Sequence, residues 1–383
     1  MNNYINWPSW PQYGKEEASA VNRVIKSNQI FAGKEVRKFE YLFAKYIKSK
    51  YAIGLGNATH GLHLALAALN IGEGDEVIVT SYSWISSASC ILMQNAVPVF
   101  CDIEKKSLGI CPKDLKNKIT NKTKAIIVVH MFGYPARINK IKEIADKFSI
   151  PIIEDASHAH GSEINGKKAG TFGLISVFSL HQRKSLSVGD GGIVCTNNKF
   201  IFEKISKLRS FGHDELSYNF RMTEFAGALG QIGIKNLDWQ NNERIKNAIY
   251  LAKLLKGHKK IKVRLPLRNE KSVFYAVLIE VNDDKINIKS KLNKLQKIGI
   301  PIRETWEPLQ KHPHFNPKII PARGLPWKSE KYQGSMRNVI YKNLKLDNVN
   351  NLCPSKILEL YVHPPTSKKE IDFAAKNMIE IFG

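Results

Sequence analysis

Lys184 stands in FSLHQRKSLSVGDGGI, residues 178 to 193, where a strand-like run ends and three glycines follow. Most lysines are solvated surface charges, and with 58 Lys and Arg among 383 residues the residue type alone says little. Position says more. An amine crowded by cationic groups and shut off from water loses basicity, and can then act as a nucleophile and pass protons. Gly189, Gly191 and Gly192 permit a tight return into a sheet. The neighbouring Arg183 could point away from Lys184 or help to hold an anion.

Three more strand-like runs end in residues of chemical interest. YAIGLGNATHGLHLAL, from residue 51, passes through Gly56 and Asn57 into a helix whose first turn is Ala58, Thr59 and His60, and free N–H groups there would cradle a phosphate. Thr59 occupies the third position of G-x-G-x-x-G and no Gly-Lys-Ser/Thr follows, so a monophosphate fits better than a dinucleotide. An Asn-capped helix without a ligand is the alternative. In TSYSWISS, Tyr82 and Trp84 follow the run EVIVT, where a flat ring could stack on a planar cofactor or simply fill the core. PIIEDASHAHG carries Glu154 and Asp155 out of an apolar strand, and a buried carboxylate needs a cationic or N–H partner such as a pyridinium nitrogen. His158 and His160 could be read as metal ligands, but no third ligand of suitable spacing accompanies them, and no metal is expected.

Ligands of open parallel sheets bind outside the carboxyl ends of the strands. Lys184, Asp155, Trp84 and the turn at 57 to 60 would then meet at one edge. A lysine facing a phosphate cradle, a stacking ring and a buried acid is the arrangement for pyridoxal 5'-phosphate (PLP), with Lys184 forming the Schiff base.

The elements that must position these residues alternate short β-rich and helical runs from residue 51 to about 200, the pattern of parallel βαβ units. An α/β fold with one open, mostly parallel sheet flanked by helices is expected there. A long helical region follows GHDELSYNFRM as a connector, and VFYAVLIEVN and SKLNKLQKIG point to a smaller α+β domain. The expected division is 1–246 for a large domain with an N-terminal helical segment and 247–383 for the small one. The net charge of +24 suits anionic partners, but the lysines are spread without a basic arm or nucleic-acid motif, so no nucleic-acid role is expected. Five separated cysteines with no Cys-x-x-Cys pair indicate reduced thiols. The N-terminus lacks a signal-like pattern and no run suits a membrane span, so a cytoplasmic protein is expected.

These residues, with NQIFAGKEVRKFEYLFAKYI, LALAALNIGEGDEVIVTSYSW, VPVFCDIE, VVHMFGYPARINKIKEIA, IIEDASHAHG and YNFRMTEFAGALGQI, resemble the DegT/DnrJ-type sugar aminotransferases of the aspartate-aminotransferase superfamily, fold type I. The resemblance covers nearly the whole chain. It implies PLP on Lys184, Asp155 at the pyridine nitrogen, Trp84 on the ring, and Ala58, Thr59 and Ser179 at the phosphate. Asn219 would reach that phosphate from the second subunit of a homodimer. Arg221, Trp306 and His312 are its substrate-contact candidates. Three departures stand out: Asn57-Ala58-Thr59 replaces a common Ser-Gly-Thr, His158 replaces a common Gln near the cofactor's 3-hydroxyl, and Asp190 replaces Glu.

The resemblance also implies transfer of an amino group from L-glutamate or L-glutamine to a keto-sugar, in aminosugar or surface-polysaccharide biosynthesis. The positive charge favours a nucleotide-linked acceptor, whereas WEPLQKHPHFNP at 306 to 317 resembles members that act on free keto-sugars or cyclitol ketones. A dehydratase of the same family would carry His at the lysine position, and Lys184 argues against it. A non-catalytic PLP-binding regulator is the reading from another class, opposed by the intact Lys184, Asp155 and Trp84.

Overall fold

The structure is a computed structural model, and it describes residues 4–31, 33–212, 216–283, 286–315, 326–332 and 341–383. Helices α1 (Lys15–Lys26) and α2 (Lys34–Ile47) lead into the main sheet. In α2, Val36, Phe39, Phe43 and Ile47 recur every three or four residues and are buried as one stripe. The sheet is then laid down as β1 (Tyr51–Leu55), α3 (Ala58–Ala68), β2 (Glu76–Thr80), α4 (Ser86–Met93), β3 (Val97–Cys101), α5 (Pro112–Lys118), β4 (Thr123–Val129), α6 (Ile138–Lys147) and β5 (Ile152–Asp155). Two short strands, β6 (Glu163–Ile164) and β7 (Lys167–Lys168), precede β8 (Ile175–Ser179), β9 (Gly192–Thr196) and α7 (Lys199–Arg209).

The strand order is β1-β9-β8-β5-β4-β2-β3. β9 runs antiparallel to both of its neighbours, and the remaining pairs are parallel. Strands covered on both faces read as continuous apolar runs, as in IIVV of β4 and ISVF of β8, and each fully buried Val or Ile side chain stabilises the fold by roughly 1.5–3 kcal/mol. The parallel register aligns Val129 with Asp155 and Asp155 with Val177, which sets the carboxyl ends of β4 and β5 level and lets β8 run on to Ser179.

Helix α8 (Glu224–Leu254) continues unbroken through residue 247 and links the main sheet to a second one. After it come β10 (Ile261–Val263), β11 (Glu270–Lys271), β12 (Val277–Val281), α9 (Ile288–Lys297), β13 (Ile302–Glu304), α10 (Asp347–Leu352), β14 (Ile357–Leu360) and α11 (Lys368–Phe382). The second sheet is antiparallel, in the order β10-β12-β14-β13, while β11 joins β6 and β7 in a small third one. The N-terminal segment crosses between the sheets. Ile5 N–H donates to Ile298 O at 2.9 Å, Trp7 Nε1 to Tyr361 O at 3.1 Å and Trp10 Nε1 to Lys184 O at 2.9 Å.

Candidate active site

The carboxyl ends of β1, β2, β5 and β8 open into one cavity of about 750 Å3, as expected for an open parallel sheet. Asn57, Ala58, Thr59, Trp84, Asp155, His158, Ser179, Lys184 and Trp306 all line it. Asn57 caps α3, its side-chain oxygen accepting from His60 N at 2.9 Å. The Asn cap and the phosphate cradle are therefore compatible. The first N–H groups of a helix have no intrahelical acceptor, and the cap uses that of His60, which leaves the amides of Ala58 and Thr59 for an anion. Gly192 on β9 makes this turn possible, since a Cβ there would stand 2.3–2.5 Å from backbone atoms of Asn57 and Ala58.

Glu154 and Asp155 divide by strand alternation. Glu154 is fully buried on the far side, accepting from His130 Nε2 at 2.9 Å, from Gly170 N at 2.7 Å, and from Phe172 and Gly173 N at 2.6 Å each. Burial opposes its charge, but these donors prevail and hold its pKa below the usual carboxylate value. It ties the 170–173 turn to the sheet. Asp155 faces the cavity, where Ser87 Oγ donates to it at 2.6 Å and Ser157 N at 3.2 Å. Ser83 Oγ lies 2.7 Å from Ser87 Oγ and extends the chain of hydroxyls.

Burial brings the Lys184 amine down to about 8, against the opposing pull of Asp155 and Glu359. Its Nζ lies 4.9 Å from the centroid of the Tyr275 ring. The loop that carries it is fixed from behind: Trp10 holds its carbonyl, Tyr13 OH lies 2.8 Å from Ser187 Oγ, and Gly189 turns with φ +94°. His158 is buried and stacks on Tyr275 at 4.2 Å. Its Nδ1 accepts Phe132 N–H at 3.3 Å, so the ring proton sits on Nε2. Burial, then the nearby Lys184 and His160, hold its pKa well below the ordinary histidine value, and the imidazole is neutral. Trp84 is 56% exposed and meets Trp306 edge-on at 5.4 Å, so one face of its ring is open.

Not every candidate converges here. Asn219 lies in the exposed segment before α8, where it pairs with Ser210. Arg221 bridges to Leu55, donates to Ser210 Oγ at 3.1 Å and stacks on Phe31 and Phe211. His312 stands beside His314, their Nδ1 atoms 3.0 Å apart. None of the three lines the cavity of its own chain. The last two positions of the 306–317 motif fall outside the described residues. Conversely, sequence reasoning missed Ser87, Tyr275, Arg303 and Tyr361, all on the cavity wall. Among the described residues, no group of three or more His, Cys, Asp or Glu is placed to hold a metal ion, and no helix is long and apolar enough to cross a membrane.

The residues present fit PLP: an anion cradle at a helix start, a buried carboxylate with hydroxyl support, an exposed indole face and a lysine of lowered pKa share one cavity. Fold and site define a PLP-dependent aminotransferase of fold type I. The model of the DegT/DnrJ/EryC1/StrS aminotransferase family matches residues 11–355, and the chain belongs to that family. An uncharacterized protein of Methanocaldococcus jannaschii is 34% identical over 89% of this chain and 94% of its own length. The GDP-perosamine synthase of Vibrio cholerae is 37% identical over 60% of this chain and 65% of that protein. The L-glutamine:2-deoxy-scyllo-inosose aminotransferase of Streptomyces kanamyceticus is 32% identical over 81% and 80%. Among solved structures, the aminotransferase from Psychrobacter cryohalolentis superposes with a TM-score of 0.88 at 28% identity, over 98% of both chains.

Proposed function

We propose that this sugar aminotransferase moves an amino group from L-glutamate or L-glutamine to the ketone of a nucleotide-linked sugar, as a cytoplasmic homodimer serving aminosugar or surface-polysaccharide biosynthesis. The observation that carries the reading is the Lys184 amine, lowered to about 8, in one cavity with Asp155 and the start of α3. In this reading the amides of Ala58 and Thr59 and the Ser179 hydroxyl hold the phosphate, with Asn57 fixing the turn. Asp155, steadied by Ser87, accepts the pyridine N–H, and Trp84 covers the ring. His158 Nε2–H donates to an oxygen on the ring's edge. PLP, when bound, supplies a carbonyl that takes up the amino group and a ring that withdraws electrons from the reacting carbon. Lys184 Nζ takes the proton from the donor's α-carbon and later delivers one to the acceptor carbon that carried the ketone.

Asn219 and Arg221 lie outside their own chain's cavity, which fits a role in the site of a second copy. The nucleotide-linked acceptor is supported by Arg183 and Arg303 on the cavity wall, by the net charge of +24 and by the likeness to GDP-perosamine synthase. A free cyclitol ketone is the second reading, supported by the likeness to the inosose aminotransferase. The visible absorption of the PLP-loaded protein tests the proposal. L-glutamate or L-glutamine should bleach the band in the wild type and leave Lys184→Ala without that response; a wild-type band that neither donor changes would remove the donor assignment.

A further inference from the structure

An amine that takes a proton from the donor's α-carbon is an ammonium until it delivers that proton, so Lys184 must carry a positive charge for part of the reaction. The polar groups around it offer little to hold that charge. Asp155 and Glu359 both draw the amine toward its charged form, yet both are committed elsewhere. Asp155 accepts from Ser87 and, in the reading above, from the pyridine N–H. Glu359 accepts from Arg303 Nε and from Tyr361 OH, the latter at 3.4 Å. His158 and His160 are kept neutral by burial, and Arg183 is another cation on the same wall. Among the described residues, Lys184 Nζ makes no hydrogen bond or ion pair. What it does face is the ring of Tyr275, with Nζ above the ring and 4.9 Å from its centroid.

Tyr275 is fixed in that place. It is 3% exposed, stacks on His158 with the ring planes 5° apart, and meets Tyr361 edge-on at 5.4 Å. Bulky residues flank the stacked pair in the left-handed conformation. Phe132, at φ +53°, donates its N–H to His158 Nδ1, and Phe274, at φ +47°, donates its N–H to Ser272 Oγ at 3.1 Å. Aromatic residues seldom adopt that region, and a backbone held there beside both rings sets where the pair points. The face of an aromatic ring carries partial negative charge and attracts an ammonium within about 6 Å of its centroid. That attraction favours the ammonium over the neutral amine by only about two- to thirtyfold, so the proton can still leave.

We propose that Tyr275 is a positioning residue for the proton transfer, its ring face holding the Lys184 ammonium between uptake of the donor's α-proton and delivery to the acceptor carbon. The proposal rests on the reading of Lys184 as proton carrier and adds the group that steadies its charged form. The ring does this, and the hydroxyl is dispensable.

The test replaces Tyr275 by Phe and by mono-, di- and trifluorinated phenylalanine, which keep the shape of the ring and its stacking on His158 while draining charge from its face. In the cofactor-free protein, the Lys184 amine is titrated by the pH dependence of its acylation with acetic anhydride, read on the Lys184 peptide by mass spectrometry. Tyr275→Phe should titrate as the wild type does, near 8. Each added fluorine should lower the midpoint, and the trifluorinated ring should reduce the ratio of ammonium to amine at a given pH about threefold or more. In the PLP-loaded protein the same series should slow single-turnover amino transfer stepwise while leaving the donor concentration for half-maximal rate unchanged. Far-UV circular dichroism equal to that of the wild type shows that each variant is folded. If the wild type titrates near 8 and fluorination leaves the midpoint in place, the role of Tyr275 falls while Lys184 as proton carrier stands. If the wild type itself titrates near ~10.4, as an ordinary lysine does, the reading of Lys184 fails first and that of Tyr275 with it. If Tyr275→Phe alone shifts the midpoint as far as the trifluorinated ring does, the hydroxyl is the acting group and the ring assignment is overturned.

Discussion

Adjacent carboxylates in β5 should respond to the same amide substitution in different ways. Glu154→Gln keeps the shape of a side chain that is fully buried and accepts four hydrogen bonds. Its amide oxygen can still accept from Phe172 and Gly173, but its NH2 then faces Gly170 N–H and His130 Nε2–H, two donors with no acceptor. One unsatisfied buried donor costs about 1–3 kcal/mol, and the lost charge assistance adds to it, so we expect about 3 kcal/mol of destabilisation. That is roughly a hundredfold in the ratio of folded to unfolded protein. Asp155→Asn keeps an acceptor for Ser87 Oγ at the cavity edge and should leave stability nearly unchanged. Urea unfolding followed by far-UV circular dichroism reads both. The Glu154 contribution also has a pH signature: its folded pKa lies below the unfolded value, so its stabilisation is present above the ordinary glutamate pKa and is lost as pH falls through the folded one. A loss below about 1 kcal/mol for Glu154→Gln, or an equal loss for both variants, would refute this division of labour.

Other expectations concern the cavity. Asp155→Asn should keep PLP bound but slow single-turnover amino transfer by orders of magnitude, and near-normal turnover would place the pyridine nitrogen elsewhere. Capture of added PLP by Lys184 in the cofactor-free protein should speed up about tenfold per pH unit below 8 and level off above it, because only the neutral amine attacks; a profile that keeps climbing to pH 10 would mean an ordinary lysine. Gly192→Ala should weaken PLP binding at least tenfold, since the new Cβ displaces the backbone of Asn57 and Ala58, and unchanged affinity in an equilibrium titration would dismiss the helix-start cradle. Ser87→Ala removes one hydrogen bond to a carboxylate, about 1.5–3 kcal/mol, and should reduce turnover without unfolding the protein; unchanged turnover would remove Ser87 from the site.

The main sheet was legible because its strands are buried on both faces and spell continuous apolar runs, and because each catalytic candidate follows such a run directly. The reversed direction of β9 was less so: GGIVCT reads like any buried strand, and only the glycines before it hint at a short return. Lys184, Asp155 and the 57–59 turn could be placed at one edge by topology alone. The wall supplied by Tyr275, Arg303 and Tyr361 could not, because these residues come from or adjoin a second sheet whose docking against the first leaves no local periodic signal. Ser87 was hidden for a simpler reason, as one of several serines in SYSWISSAS with nothing to mark it. Glu154 and Asp155 looked equivalent in sequence, and strand alternation, together with the turn at 170–173, separates them.

The N-terminal segment ties residues made early to residues made long after them. Trp7 and Tyr361 are 354 positions apart, and Trp10 and Lys184 are 174 apart. Such distant pairings close late, because the entropy of the intervening loop must be overcome before their contacts form. While the chain emerges from the ribosome, the Lys184 loop can form before β14 exists, but the wall at Tyr361 and the strap across Trp7 cannot. The nascent polypeptide therefore carries an open, lysine-bearing cleft between the synthesis of the Lys184 loop and that of β14, and competence for catalysis waits for the wall at Tyr361.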